Sequence, residues 1–371
     1  MAHIRRHPKS HRWQVRYRDP SGKERSKTFR RKVDADAFAV TIEADKVRGK
    51  WLNPDHGQIL FADWWERWHA GRVNLRPSTR TRDDGYWRTL IAPTLGGEQL
   101  GRIRPDTLRA WVAYLVADGK APATVRKAAQ LVKAALEAAV DDGLIGSNPT
   151  RKLPLPSIQR IEMRFATTDE IRRLVNSTDP RWRVMVLTAA FTGLRFGEVA
   201  GLTVDQLNLL SRRLTVSRQL TESSGQIELG PVKTAASRRT VTLPRFLCDE
   251  LAQHLTEYPP SPGGLVFQAA DGGPIRRTNW RRRVWLPATT AAGLDGFRFH
   301  DLRHTHAALL IAQGEHPKVI QSRLGHASIT TTLNTYGHLL EGLDEAAADR
   351  LDDGWGAAPD ESVGGDVVSL S

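Results

Sequence analysis

The apolar periodicity of this chain changes along its length, and each change rules out a single repeated architecture. Residues 12–18 read RWQVRYR, setting Trp13, Val15 and Tyr17 against Arg12, Gln14, Arg16 and Arg18. Period two is the pattern of a strand with one face able to pack. Asp19-Pro20-Ser21-Gly22 supplies turn chemistry, and Glu24 to Phe29 returns along it. The expected product is a small three-stranded antiparallel sheet with Lys and Arg on its open face, so that Arg12, Arg16, Arg18 and Lys27 are candidate contacts to a polyanion. Val33, Ala37, Val40, Ala44, Val47 and Trp51 then recur at steps of three and four, the stripe of an amphipathic helix that would cover this sheet.

Beyond Asn53-Pro54 the pattern is helical. Phe61, Trp64, Trp65 and Trp68 fall on one face, and further helices are expected at about 78–91, 105–118 and 122–142, divided by Pro93, Gly96-Gly97, Pro105, Gly119 and Pro122. A four-helix domain is the economical reading. Pro149, Pro154 and Pro156 stiffen a basic linker containing Arg151, Lys152, Arg160 and Arg164. Thr167 and Glu170 stand at capping-box spacing and open a third region of long helices. Strand-like Leu214 to Leu220, Ile227 to Val232 and Arg239 to Leu243 interrupt it, with Lys233 expected at the turn of a hairpin. The fold class is therefore multidomain α+β. Its expected parts are 1–56 (sheet plus helix), 57–148 (helical), 149–166 (linker), 167–342 (mostly helical with a small antiparallel sheet) and 343–371 (an acidic tail).

Charge narrows the partner. Lys and Arg number 54 against 41 Asp and Glu, a formal charge of +13 over 371 residues. The first 32 residues hold twelve of the basic side chains and only two acids. Such a gradient suits a polyanion, either nucleic acid or an anionic membrane surface. No stretch approaches the twenty consecutive apolar residues of a membrane span. One cysteine, Cys248, cannot form an internal disulfide or a Cys-x-x-Cys metal site, which suits a reducing cytosol. No P-loop glycine pattern is found, so the chemistry is expected to run without ATP.

Five segments carry reactive side chains: TGLRFGE at 192–198, PVKT at 231–234, HDLRH at 300–304, LGH at 324–326 and TTLNTYGH at 331–338. If 300–306 is a helix, His300, Arg303 and His304 share one face and His306 points away. Two His four residues apart can bind zinc, but Arg303 would face the cation and no further ligand is evident, so no metal is expected. Arg195 follows an apolar run and needs an anionic partner, either Glu198 or a phosphate.

Taken together and in order, these segments resemble the tyrosine recombinase family, the phage-type integrases. The resemblance covers 165–342, and the upstream modules match the family's arm-binding and core-binding modules in order and size. It implies that Tyr336 is a nucleophile on a DNA phosphate, that Arg195 and Arg303 are the catalytic arginines, and that His300 assists proton transfer. His326 would donate to the phosphate and Lys233 would protonate the leaving 5′-oxygen; His304 is left to packing. It further implies double-stranded attachment-site DNA as partner, a tetramer of this chain on DNA, no cofactor, and a bacterial cytosol or nucleoid; accessory DNA-bending or directionality proteins stay open. Arg151, Lys152, Arg277 and Arg281 are additional candidate DNA contacts, with Trp280 and Trp285 interleaved among the arginines. Two alternatives share parts of this pattern: a type IB topoisomerase-like relaxing enzyme and a non-enzymatic DNA-binding regulator.

Overall fold

The computed structural model describes residues 2–8, 10–20, 22–48, 51, 53, 56–159, 163–223, 225–260, 264–339, 348–349 and 351–353. Most of the expected acidic tail lies outside the described residues. The chain divides into two compact units, Met1–Arg160 and Ile161–Ser371. Among the described residues no helix is long and apolar enough to cross a membrane.

The first unit holds two cores. Strands β1 (His3–Arg6), β2 (Trp13–Arg18) and β3 (Glu24–Phe29) form an antiparallel sheet in sequence order, with Val15 opposite both Ile4 and Lys27. Helix α1 (Lys32–Val47) covers it, but not with the expected stripe. Val33, Val40 and Val47 are exposed, and Ala35, Phe38, Ala39 and Ile42 pack with Val15 and Tyr17 instead, although Trp51 of the expected stripe does join this core. The face carrying Phe38 and Ile42 removes more apolar area from water than a face of valines and alanines, and that difference decides the helix rotation. The register also corrects the reading of the sheet. Because Lys27 is paired with Val15, it shares the covered face, where its ammonium lies 4.7 Å from the Phe38 ring centre. The open side of β3 presents Glu24, Ser26 and Thr28.

The second core is a helical bundle: α2 (Phe61–Gly71), α3 (Pro77–Tyr86) continuing through a π turn into α4 (Ala92–Leu95), α5 (Pro105–Ala117) and α6 (Pro122–Asp141). Buried tryptophans hold it together because each can bury a large ring while its N–H finds an acceptor. Trp64 Nε1 donates to Ala135 O and Trp111 Nε1 to Leu90 O, each at 2.8 Å, while Trp65 stacks on Trp87. Leu153 and Leu155 of the proline-rich segment pack on this bundle.

The second unit begins with α7 (Thr168–Asn176), whose capping box is present: Thr167 Oγ1 accepts from Glu170 N and Thr167 N donates to Glu170 Oε2. Helix α8 (Pro180–Thr192) runs through the core and α9 (Phe196–Ala200) follows a sharp turn. Next comes a three-stranded antiparallel sheet ordered β4 (Leu207–Asn208), β5 (Arg213–Val216), β8 (Arg239–Thr242), and a separate hairpin of β6 (Arg218–Ser223) and β7 (Gln226–Pro231). The expected single strand 214–220 thus divides at Ser217. The expected pairing of 227–232 with 239–243 is also replaced, since β7 returns along β6 and β8 returns to β5. Burial explains the exchange: Leu214, Val216 and Val241 all enter the core, whereas β7 is largely exposed. Lys233 is therefore exposed on the connector between the two sheets, not at a hairpin turn.

The remaining helices are α10 (Arg245–Glu257), α11 (Arg277–Trp280), α12 (Leu286–Ala291), α13 (Asp301–Ala312), α14 (Pro317–Leu324) and α15 (Ile329–Tyr336). Trp280 and Trp285 belong to the core and do not form a surface with the arginines: they are 4% and 2% exposed, and Trp285 Nε1 donates to Phe297 O.

Helix α9 is seated against β6 by two glycines one turn apart. A Cβ at Gly197 would lie 2.6 Å from Leu220 O, and one at Gly201 2.5 Å from Leu220 N. Both obstacles are backbone, so neither can rotate aside. Gly201→Ala is expected to destabilise the full chain by about 1–3 kcal/mol through overpacking. Denaturant unfolding checks this, and an unchanged midpoint would mean that the approach of α9 to β6 is not needed.

Candidate active site

The site begins where α8 ends. Gly193 caps that helix in the left-handed conformation at φ 67°, which an L side chain rarely adopts, and the chain then turns through buried Leu194 into Arg195. Arg195 stands at the N-cap of α9 and Glu198 lies in the first turn, so the two meet across one turn of helix. Glu198 Oε2 accepts from Arg195 N at 3.0 Å and Oε1 accepts from Arg195 Nη1 at 2.9 Å. Arg239, arriving from β8, donates its Nη2 to Glu198 Oε2 at 2.9 Å. Burial pushes the Glu198 carboxyl up, but Arg239, by charge and hydrogen bond, and then Arg195 outweigh it and hold the group below the usual carboxylate range. Glu198 is thus a buried anion between two guanidinium groups, and the Arg195 guanidinium remains partly open to solvent.

Arg303 is 2% exposed and is held by helix ends instead of by a carboxylate. Its Nη1 donates to Gly193 O and its Nη2 to Leu324 O, both at 2.6 Å. These carbonyls terminate α8 and α14, where the helix leaves acceptors unused and the dipole is negative. Burial, with Arg195 and Arg239 nearby, lowers Arg303 to about 9, which still leaves it cationic at neutral pH.

The histidines meet the same positive field. His300 precedes α13 and is driven down to about 4, first by loss of hydration and then by His304, Arg303 and Arg195, although part of it stays exposed. His326 follows the left-handed cap Gly325 at the end of α14 and shares a 2.9 Å hydrogen bond between its Nδ1 and Thr332 Oγ1. Burial and then Arg303, Arg195 and Arg239 lower it to about 4. At neutral pH both are uncharged imidazoles.

Tyr336, the last residue of α15, is 1% exposed, and its hydroxyl lies 2.9 Å from His304 Nδ1. Burial raises the phenol to about 12, while Arg303 and Arg195 act in the opposite direction. The structure therefore brings Arg195, His300, Arg303, His326 and Tyr336 into one electrostatic neighbourhood. Lys233 lies on the exposed connector between β7 and β8.

Three participants escaped the sequence reading. Arg239 opens a strand-like segment with no local sign of its partner Glu198. The resemblance leaves His304 to packing, because nothing local reveals a contact with a tyrosine 32 positions away. Arg323 braces the back of the site, donating its Nε to His306 Nε2 and its Nη1 and Nη2 to Thr242 O and Phe191 O. His306 does point away from the cluster, as its helical position requires, and burial drives it down to about 3. Of the expected surface contacts, Arg12, Arg18, Arg151, Lys152, Arg277 and Arg281 are exposed, as is Lys27 despite its face, whereas Arg16 is half-buried beside Glu24. Among the described residues no three His, Cys, Asp or Glu side chains are grouped to hold a metal ion.

Two outcomes follow from this electrostatic arrangement. Glu198→Ala would leave Arg239 buried without its counter-charge and is expected to destabilise the full chain by about 3–5 kcal/mol; a loss below about 1 kcal/mol in denaturant unfolding would contradict the pairing. The depressed histidines give a sign for pH dependence. Below pH 6.5 the unfolded chain protonates His300, His306 and His326, whereas the folded chain resists until about 4, 3 and 4 respectively. Stability present above 6.5 is lost as pH falls through that window. Thermal melts should record this fall, with a shallower slope for His306→Gln, whose amide can still accept from Arg323; an identical slope would refute the assignment.

The chain is similar to known proteins over most of its length. Residues 164–342 match the phage integrase family, and residues 3–48 match the phage integrase N-terminal domain. The putative prophage phiRv2 integrase of Mycobacterium tuberculosis is 28% identical over 353 residues, covering 92% of each chain. A XerC-like tyrosine recombinase of Caldanaerobacter subterraneus is 27% identical over 367 residues, 91% of this chain and 94% of the relative. Among solved structures, the Tn1549 transposon integrase in complex with a circular intermediate DNA aligns at TM-score 0.70 and 20% identity, covering 79% of this chain and 99% of that one. The lambda integrase dimer bound to a COC' core site aligns at 0.59 and 18%, covering 90% and 93%. These structural likenesses establish a shared fold. With its catalytic segment and its N-terminal segment both matched, the chain belongs to the phage integrase family.

Proposed function

We propose that this chain is a site-specific tyrosine recombinase of the phage or prophage type, which cuts and rejoins DNA through a 3′-phosphotyrosine without metal or ATP. The observation that carries the reading is the gathering of Arg195, Arg303, His300 and His326 about Tyr336. A phosphodiester entering this cluster would meet the free part of the Arg195 fork and two neutral imidazoles. Fixed cations and donors of this kind stabilise the negative charge that develops on a phosphorane-like transition state. Tyr336 Oη forms the bond to phosphorus and the bond to the 5′-oxygen breaks. Lys233, on the exposed connector, is assigned the protonation of that oxygen; the connector has to bring it to the scissile phosphate. Bond energy is kept in the phosphotyrosine, so a 5′-hydroxyl from another duplex can reverse the step and exchange strands.

The same reading assigns attachment-site DNA to the exposed bases Arg12, Arg18, Arg151, Lys152, Arg277 and Arg281, with Arg16 and Lys27 at the margins of the small sheet. It also assigns a tetramer on DNA, work in the cytosol or nucleoid, and possible use of accessory bending or directionality proteins. The lambda integrase is described as a dimer on a core site and as a tetramer on a Holliday junction, which supports an assembly on DNA here.

The test uses a library of nicked duplexes of randomised sequence and denaturing electrophoresis. Wild type should form a covalent protein–DNA adduct and Tyr336→Phe none, with DNA binding retained by both. Bound DNA without adduct in wild type would favour a non-enzymatic regulator. Adduct surviving in Tyr336→Phe would remove the nucleophile assignment.

A further inference from the structure

We infer that His304 takes the phenolic proton of Tyr336 during strand cleavage and returns it on religation, a role that rests on the reading of Tyr336 as nucleophile. Geometry comes first. His304 Nδ1 is 2.9 Å from the Tyr336 hydroxyl, within the reach required for direct proton transfer. His300, the residue assigned proton transfer by family resemblance, stands edge-to-face against His304 at 4.9 Å between ring centres, one ring further from the phenol. His326 uses its Nδ1 on Thr332. His304 is therefore the imidazole in hydrogen-bond contact with the reacting oxygen.

The protonation state fits this task. Burial lowers the His304 pKa, Arg298 and Arg303 lower it further, and Asp301 on the same helix opposes them. Among the described residues, the remaining groups about it are His300 at the N-cap of its own helix, Tyr336 on α15 and His326 beyond α14. A neutral imidazole with its proton on Nε2 offers the Nδ1 lone pair to the phenol, and this tautomer is the one in which Tyr336 donates the hydrogen bond. In cleavage the Tyr336 O–H proton moves to His304 Nδ1 as the tyrosine oxygen bonds to phosphorus. The phosphorus–O5′ bond breaks, and O5′ takes its proton from Lys233. Religation reverses each transfer, with the His304 imidazolium protonating the departing phenolate. Without DNA this transfer is strongly uphill, since the phenol is raised to about 12 while the imidazole is depressed. As the tyrosine oxygen bonds to phosphorus its proton becomes far more acidic, so transfer in step with the attack removes the gap.

The experiment measures the single-turnover rate of adduct formation by the full chain against pH, on a nicked duplex selected from the randomised library. Wild type, His304→Asn and His304→Ala are compared, the last with and without imidazole. Asn keeps a hydrogen-bond acceptor near the position of Nδ1 but cannot take the proton. Wild-type rates should rise with pH to a plateau. The Asn variant should bind DNA as wild type does, react roughly 100-fold or more slowly, the usual range for a lost general base, and lose the acid limb of the profile. Added imidazole should accelerate the Ala variant. Wild-type rate and profile in His304→Asn would overturn the assignment, as would a slow Ala variant that keeps the acid limb and ignores imidazole. If wild type itself binds DNA without forming adduct, the strand-transfer reading fails, and this role fails with it.

Discussion

The second unit is organised around one buried carboxylate. Glu198 accepts from the backbone and guanidinium of Arg195 and from the guanidinium of Arg239, so it fixes a helix start, a potential anion ligand and the edge of a sheet together. A lone carboxylate in this position would protonate to avoid the cost of desolvation. Two cations keep it charged, and in return it lets Arg195 hold its direction. The arrangement is asymmetric, because Arg239 is fully committed inside while Arg195 keeps part of its fork at the surface.

Arg303 and Arg323 face the same problem and solve it differently. Neither is paired with a carboxylate among the described contacts; both donate to main-chain carbonyls at places where helices or strands end. Carbonyls carry partial charge only. The cluster therefore retains a positive excess, which adds to the effect of burial in pressing His300, His306 and His326 into the neutral form. The cluster is left electrostatically incomplete, and the fold tolerates this because the helix ends supply the hydrogen bonds.

Local pattern made most of the elements legible. The three-residue and four-residue spacing of Phe61, Trp64 and Trp65 located a buried helix face, and Thr167 with Glu170 located a helix start. Five motif residues could be named from their segments, and they share one field. What could not be read was long-range choice. Two apolar stripes competed on α1, and the amount of area each could bury decided between them only against the actual sheet. The partner of β7 depended on which strands entered the core, so Lys233 was misplaced by its neighbours. Arg239 and His304 acquire their roles from residues 41 and 32 positions away, a separation at which sequence carries no signal of contact.

That separation has a consequence for the order in which the molecule acquires its parts. The bonds from Arg303 to Gly193 and from Arg239 to Arg323 close loops of 110 and 84 residues. Contacts of such high sequence separation require the intervening chain to be arranged before they become favourable. The glycine that caps α8 and the arginine that reads its carbonyl are made far apart on the ribosome, and Tyr336 follows both. During synthesis, then, the basic N-terminal sheet is made long before the clustered side chains of the second unit can meet.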